Sequence, residues 1–163
     1  MTRIIFLLIL NFFLFDLGFA NSIKCNFEEV YKNGQVQQGL ILIKDEKLRY
    51  QYFDKKLFTM IYKDSKLFLI KNENKKLMEG TNVNQNILDE LMQIYKKFPN
   101  IQDTYQSNNY DFKIEKNLNE VFIKRLAIKS NQLNLSIYFN GCIDNPLNNI
   151  FFITEPLFDY TGK

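Results

Sequence analysis

The sequence predicts a mainly β protein: an incomplete antiparallel β-barrel, that is, a strongly curved sheet, with one helix as its lid. Two observations predict this fold. Most of the chain consists of short segments in which apolar and polar residues alternate, separated by polar turns. Residues 86–99 instead place apolar side chains three and four positions apart, which is the spacing of an amphipathic helix. Evenly spaced short strands are typical of a barrel or a curved sheet.

The segments before the helix form an antiparallel meander. Asn33-Gly34 is typical of a tight hairpin turn. Residues 40–43, Leu-Ile-Leu-Ile, are apolar on both faces, as in a strand that is covered on both sides. Polar residues separate the other segments. The strands predicted here are 26–31, 36–44, 48–53, 57–63, 67–70 and 76–79.

The predicted helix has signals at both ends. Asn86 is the expected N-cap, and Asp89 and Glu90 lie in the first turn, where the helix dipole favours acidic side chains. Two lysines occupy the last turn, and Pro99 ends the helix. The apolar face is either ordinary core packing against the sheet or a lid over a cavity. That face consists of Ile87, Leu88, Leu91, Met92, Ile94, Tyr95 and Phe98.

Beyond the helix, residues 100–109 are polar and are predicted to form a loop. The meander then resumes, and its clearest alternation runs through residues 133–140, with Gly141 ending that strand. The other strands predicted in this half are 110–114, 121–129 and 150–154.

Residues 1–20 have the pattern of a cleavable signal peptide. Arg3 gives a positive start, an apolar run follows, and Gly18-Phe19-Ala20 places small residues at the positions that a signal peptidase reads. The alternative is a membrane anchor. Asn11 and Asp16 interrupt the run, which falls short of the roughly 20 apolar residues that a spanning helix needs. Residues 21–163 are then one exported β domain.

Composition argues against several classes of function. The net charge of +3 is small and the lysines are spread among acidic residues, which does not favour nucleic-acid binding. The chain has no histidine, so it lacks the usual Ser-His or Cys-His pair and any histidine metal site. Paired acids such as Asp45-Glu46 are better explained as solvated turns. We therefore expect a binding protein without a cofactor or metal, and not an enzyme.

The two cysteines are expected to form a disulfide. Cys25 and Cys142 lie near opposite ends of the domain, and an exported chain meets an oxidising compartment. Two buried free thiols are the alternative. A lipidated Cys25 is disfavoured because Lys24, rather than a small residue, precedes it.

Three segments resemble the first half of the LolA-type family of outer-membrane lipoprotein carriers. They are a Gly-led strand at 39–44, an Arg-aromatic-x-Tyr strand at 47–52, and a pair of apolar strands joined by a turn at 60–70. Residues 122–152 are similar to that family's closing strands. Asp64-Ser65 stands where the family has an Asp-Gly turn.

The resemblance implies a function and a location. It implies a monomeric periplasmic carrier in a Gram-negative bacterium that shuttles acylated lipoproteins, or lipids, from an inner-membrane transporter toward an outer-membrane receptor. It also implies that Lys44, with the Asp45-Glu46 turn, lies at the cavity mouth, although an ordinary hairpin turn explains these residues equally well. The alternative function is a non-catalytic exported structural or interaction module with a filled core.

The two functions differ in whether the space between helix and sheet is empty. An acyl chain requires an apolar cavity there, since each buried CH₂ contributes about 0.8 kcal/mol. Alternation assigns the strand residues to the cavity, and Ile41 and Ile43 are as apolar as Leu40 and Leu42, so the phase of that strand is open. The predicted lipid-binding residues are Leu40, Leu42, Leu48, Tyr50, Tyr52, Met60, Phe68, Ile70, Leu88, Leu91, Met92 and Tyr95.

Overall fold

A computed structural model describes residues 22–79, 82–117, 120–131 and 133–154. The predicted signal peptide, residues 1–20, lies outside the described residues. The strands are β1 (Ser22–Tyr31), β2 (Val36–Lys44), β3 (Lys47–Tyr52), β4 (Phe58–Lys63), β5 (Lys66–Lys71), β6 (Leu77–Glu79), β7 (Thr104–Ser107), β8 (Tyr110–Lys116), β9 (Ile123–Lys129) and β10 (Asn134–Asp144). The helices are α1 (Asn82–Lys97) and a short 3₁₀ helix, η1 (Asn149–Phe152).

The ten strands form one antiparallel sheet in the order β6-β5-β4-β3-β2-β1-β10-β9-β8-β7. The first and last described strands, β1 and β10, therefore pair in the interior of the sheet, and a meander runs outward from each of them. Among the described strands, β6 and β7 each have a single neighbour, so the sheet does not close into a barrel. The predicted fold class, an incomplete antiparallel barrel with one helix, is confirmed.

The main core lies between α1 and one side of the sheet, called here the helix-facing side. Burial alternates along β1, where Cys25 and Phe27 are buried and Asn26 between them is exposed. The helix contributes Leu88, Leu91 and Ile94, which are each no more than 1% exposed. Residues directly opposite each other in an antiparallel pair share a face, so this apolar surface continues from strand to strand.

A second, smaller core covers the opposite side, called here the outer side. Leu42, Leu147 and Phe152 are buried together there, with Leu40 packed against them. The 3₁₀ helix η1 packs on β3 and β4, and Arg49 Nη1 donates to Phe151 O at 2.9 Å. Strand β2 is therefore covered on both sides, as its continuous apolar run predicts.

A β-bulge lies in the pairing of β1 with β10. Lys24 is opposite Ile143 and Asn26 is opposite Asn140, so Gly141 and Cys142 together face Cys25. Gly141 has a φ of 57°, which a glycine adopts without steric cost. The bulge places Cys142 beside Cys25, and the predicted disulfide is confirmed, with a Cα–Cα distance of 4.2 Å.

Several element boundaries differ from the sequence prediction. Helix α1 begins at Asn82, so Asn86 is not its N-cap, and Asp89 and Glu90 are not in its first turn. Residues 150–154 are not a strand, because Asn148 Oδ1 accepts from Ile150 N at 3.0 Å and starts η1 instead.

Two further differences lie in the second half of the sheet. Part of the predicted 100–109 loop is strand β7, in which Tyr105 and Ser107 are partly buried and Tyr105 stacks on Phe112 with ring centroids 5.0 Å apart. Strand β10 continues past Gly141 to Asp144, because the bulge takes up the extra residue without ending the pairing.

Candidate ligand-binding cavity

A cavity of about 120 Å³ lies between the middle of α1 and the helix-facing side of the sheet. Three of its lining residues, Tyr31, Ile87 and Leu133, are only partly buried and form its rim. Most of the wall is aliphatic or aromatic, with one carboxylate. The full lining is Glu29, Tyr31, Tyr50, Tyr52, Met60, Ile87, Leu88, Leu91, Leu133, Leu135 and Ile137.

The carboxylate is that of Glu29, which is 4% exposed. It follows Cys25 and Phe27 at intervals of two along β1, so its side chain points to the same side of the sheet. Three tyrosine hydroxyls donate to it. Tyr31 Oη lies 2.7 Å from Oε2, Tyr50 Oη lies 2.8 Å from Oε1, and Tyr52 Oη lies 3.1 Å from Oε2.

Burial governs the protonation of this cluster. Desolvation raises the pKa of Glu29 above its usual value of 4.5, and the three tyrosine hydrogen bonds oppose that rise without cancelling it. The pKa of Tyr50 is also raised, first by burial and then by the charge of Glu29. Among the described residues, no ion pair joins Glu29 to a lysine or arginine. Within the described part of the chain, its charged form is therefore stabilised by hydrogen bonds and not by an ion pair.

Packed rings hold the tyrosine hydroxyls in place. Phe27 stacks on Tyr50 with centroids 3.9 Å apart, and the ring of Tyr52 meets Phe27 edge-on at 5.5 Å. Gly39, opposite both Phe27 and Tyr52, makes room for this arrangement. A Cβ atom at Gly39 would collide with the Phe27 ring and with the backbone oxygen of Gln51.

Few polar contacts hold α1 to the sheet. Lys96 Nζ pairs with Glu46 Oε1 at 2.6 Å, and both side chains are largely exposed. On the other side of the helix, Glu90 accepts from Tyr105 Oη at 3.0 Å and from the Ser107 hydroxyl. Exposed ion pairs contribute about 0–1 kcal/mol, so apolar packing provides most of the attachment.

The structure divides the predicted lipid-binding residues into three groups. Tyr50, Tyr52, Met60, Leu88 and Leu91 line the cavity. Leu48, Met92 and Tyr95 belong to the same core without lining the cavity. The third group lies on the outer side, where the prediction is wrong, and consists of Leu40, Leu42, Phe68 and Ile70.

The error for this third group is one of alternation phase: the opposite face of each strand was assigned to the cavity. On β2, Ile41 and Ile43 face the helix and Leu42 joins the outer core. On β5, Leu69 faces the helix, while Phe68 is opposite Ile61 on the outer side. Both strands are apolar on both faces, so their composition does not distinguish the two sides.

Lys44 is not at the mouth of this cavity. Its Nζ donates to Leu147 O at 2.8 Å, which ties the end of β2 to the segment that covers the outer side. The Asp45-Glu46 turn instead borders an open depression of about 770 Å³, together with Tyr95 and Lys96 at the C-terminal end of α1. The placement of Lys44 at a cavity mouth is therefore wrong for the cavity described here.

Prediction from the sequence missed the polar part of the lining. It did not assign Glu29 or Tyr31 to the cavity, although their spacing from Phe27 was a sufficient signal. It also missed Leu135 and Ile137 of β10, which the clear alternation of that strand places on one face. Glu29 is opposite Ile137, so β1 and β10 contribute neighbouring parts of the wall.

The described residues contain neither a metal-binding cluster of three or more His, Cys, Asp or Glu side chains nor a helix long and apolar enough to span a membrane. No protein-family model matches the sequence, and no curated protein matches it either.

Proposed function

We propose that this protein is an exported carrier that binds acyl chains of lipoproteins or lipids between α1 and the sheet. The observation that supports this most directly is the apolar cavity itself, placed under the helix of an open sheet. Burying each CH₂ of an acyl chain there contributes about 0.8 kcal/mol. The resemblance to LolA-type carriers, stated from the strand pattern, supports the same function.

The cavity is too small to hold a long acyl chain unless α1 moves. About 120 Å³ is comparable to the roughly 150 Å³ that accommodates benzene, and it is smaller than the roughly 300–1,000 Å³ of pockets for larger ligands. A long acyl chain therefore enters only when α1 moves away from the sheet. Because the polar attachments of α1 are few, its displacement mainly exposes apolar surface, which the acyl chain then covers.

The proposed location is the periplasm of a Gram-negative bacterium. A disulfide between Cys25 and Cys142 is compatible with an oxidising compartment. In this proposal the carrier is a monomer, receives its cargo from an inner-membrane transporter and delivers it to an outer-membrane receptor.

The second candidate is a non-catalytic interaction module with a filled core. Its support is the small size of the cavity and the complete burial of Leu88, Leu91 and Ile94. Apolar residues exposed around η1, Phe151 at 44% and Ile153 at 39%, would then serve contact with another protein.

A binding titration with a fluorescent acyl-chain probe tests the carrier proposal. We expect the wild type to bind the probe and Leu133→Trp, which places a large ring at the cavity rim, to bind it more weakly. Leu77→Trp is the matched control, since Leu77 is 49% exposed on the edge strand β6 and does not line the cavity. Native mass spectrometry of protein purified from cells should also detect co-purified lipid.

The outcomes separate the two candidates. Binding that is weakened at the rim and unchanged in the control supports the carrier. A wild type that binds no probe and carries no lipid contradicts it and leaves the interaction module. Circular dichroism verifies that both tryptophan variants keep the fold.

A further inference from the structure

Glu29 is unusual for a carrier of hydrocarbon, because it places a carboxylate in the wall of an apolar cavity. Among the described residues, its two oxygens accept hydrogen bonds from Tyr31, Tyr50 and Tyr52. The helix residues that line the same cavity are Ile87, Leu88 and Leu91. A buried charge is costly unless it is paired with an opposite charge, and the described residues supply no cation here.

A cationic ligand group would complement the Glu29 carboxylate. A primary ammonium donates three hydrogen bonds and would supply the countercharge, whereas a carboxylate or phosphate would be repelled by Glu29. The tyrosine rings add a favourable surface, because a cation is attracted to the face of an aromatic ring. Tyr31 lies at the rim, so the polar group is within reach of the entrance.

We propose that Glu29 and the hydroxyls of Tyr31, Tyr50 and Tyr52 bind the ammonium group of an amine-bearing amphiphile whose hydrocarbon chain lies against Leu88, Leu91 and Ile137. This inference rests on the proposed function for the placement of the chain, and it adds a chemical class to the cargo. The carboxylate selects the head group, while the apolar wall contacts the hydrocarbon chain without selecting for its length.

Competition between matched amphiphiles tests this subsite. Decylammonium, 1-decanol and decanoate share a chain length and differ in head group, and each is used at neutral pH to displace a neutral fluorescent acyl ester. We expect wild type to prefer decylammonium over decanol by about tenfold, corresponding to ~1.4 kcal/mol, and to bind decanoate most weakly. In Glu29→Gln the preference for decylammonium should disappear while decanol binding is retained.

Glu28→Gln is the control for net charge. Glu28 is the neighbouring residue on the other face of β1, where it accepts from Gln38 Nε2 at 2.8 Å, so its replacement should leave the preference intact. Equal affinities for decylammonium and decanol in the wild type, or a preference that persists in Glu29→Gln, would overturn the ammonium subsite while the carrier function stands. Failure of every amphiphile to displace the ester, or of the ester to bind, would overturn both proposals.

Discussion

Glu29 links the local sequence of β1 to the chemistry of the cavity. Its position two residues after Phe27 directs it inward, and the tyrosines of β3 reach it from across β2. At this site burial favours the protonated acid and hydrogen bonding favours the carboxylate. The raised pKa of Glu29 indicates that burial is the larger of the two effects.

Glu29→Gln should remove a pH dependence of stability. The folded protein holds the Glu29 proton more tightly than the unfolded chain, so its free energy of unfolding falls as pH rises from about 4.5 through the raised pKa. One proton accounts for a slope of at most about 1.4 kcal/mol per pH unit. The variant should gain stability relative to the wild type above this window. Denaturant unfolding between acid and neutral pH measures the difference, and a constant difference at all pH values would contradict it.

Gly39→Ala should destabilise the fold. The added Cβ would collide with the Phe27 ring and with the Gln51 carbonyl, and backbone atoms in a central strand cannot move away easily. Overpacking of this kind costs about 1–3 kcal/mol. Chemical denaturation gives the value. Gln38→Ala, at the exposed neighbouring position, should change stability by less than about 0.5 kcal/mol; equal effects of the two variants would exclude the packing explanation.

At the scale of strands and helices, the inward face of a strand was predicted correctly where one side is covered, and not where both sides are covered. On β3, Tyr50 and Tyr52 alternate with Arg49 and Gln51, and their assignment to the core was correct. On β2 the alternation is lost because η1 and Leu147 cover the outer side. Burial of that second side depends on chain more than 100 residues away, so local pattern could not resolve the phase.

The helix was predicted from its apolar stripe, and that stripe does face the sheet. Its start was placed a turn late because Asn86, with acids after it, resembles an N-cap. The structure gives one of those acids a different role, since Glu90 accepts hydrogen bonds from β7. A contact with a distant strand does not change the spacing of residues along the helix, so it could not be predicted from that spacing.

Leu91→Ala should distinguish a lid from a filled core. Leu91 is fully buried and lines the cavity, so its truncation should lower stability by about 2–5 kcal/mol and enlarge the cavity. A bound acyl chain would fill the added space, and saturating probe should therefore raise the Tm of the variant more than that of the wild type. Gln93→Ala, on the exposed face of α1, should behave as the wild type. If probe shifts neither transition, the carrier proposal is wrong.

At the scale of the whole molecule, the topology places the first and last described strands, β1 and β10, side by side within the sheet. Pairing of β1 with β10 joins two meanders that are otherwise separate along the chain. This arrangement could not be read from local alternation, which predicts strands without their order. The two cysteines were the one feature of the sequence that indicated a long-range contact, and their disulfide lies within this central pair.

Reduction of the disulfide should therefore destabilise the whole domain, because the bond links residues 117 positions apart. In the chain-entropy model, closing a loop of this length in the unfolded state contributes about 4–5 kcal/mol. Guanidinium unfolding with and without a reductant measures the loss, and the sequence contains no other cysteine on which the reductant could act. The double variant Cys25→Ala/Cys142→Ala should have the same unfolding midpoint as the reduced protein, and the reductant should not change that midpoint. An unfolding midpoint that reductant leaves unchanged in the wild type would mean that pairing of β1 with β10 holds the two halves together without the covalent link.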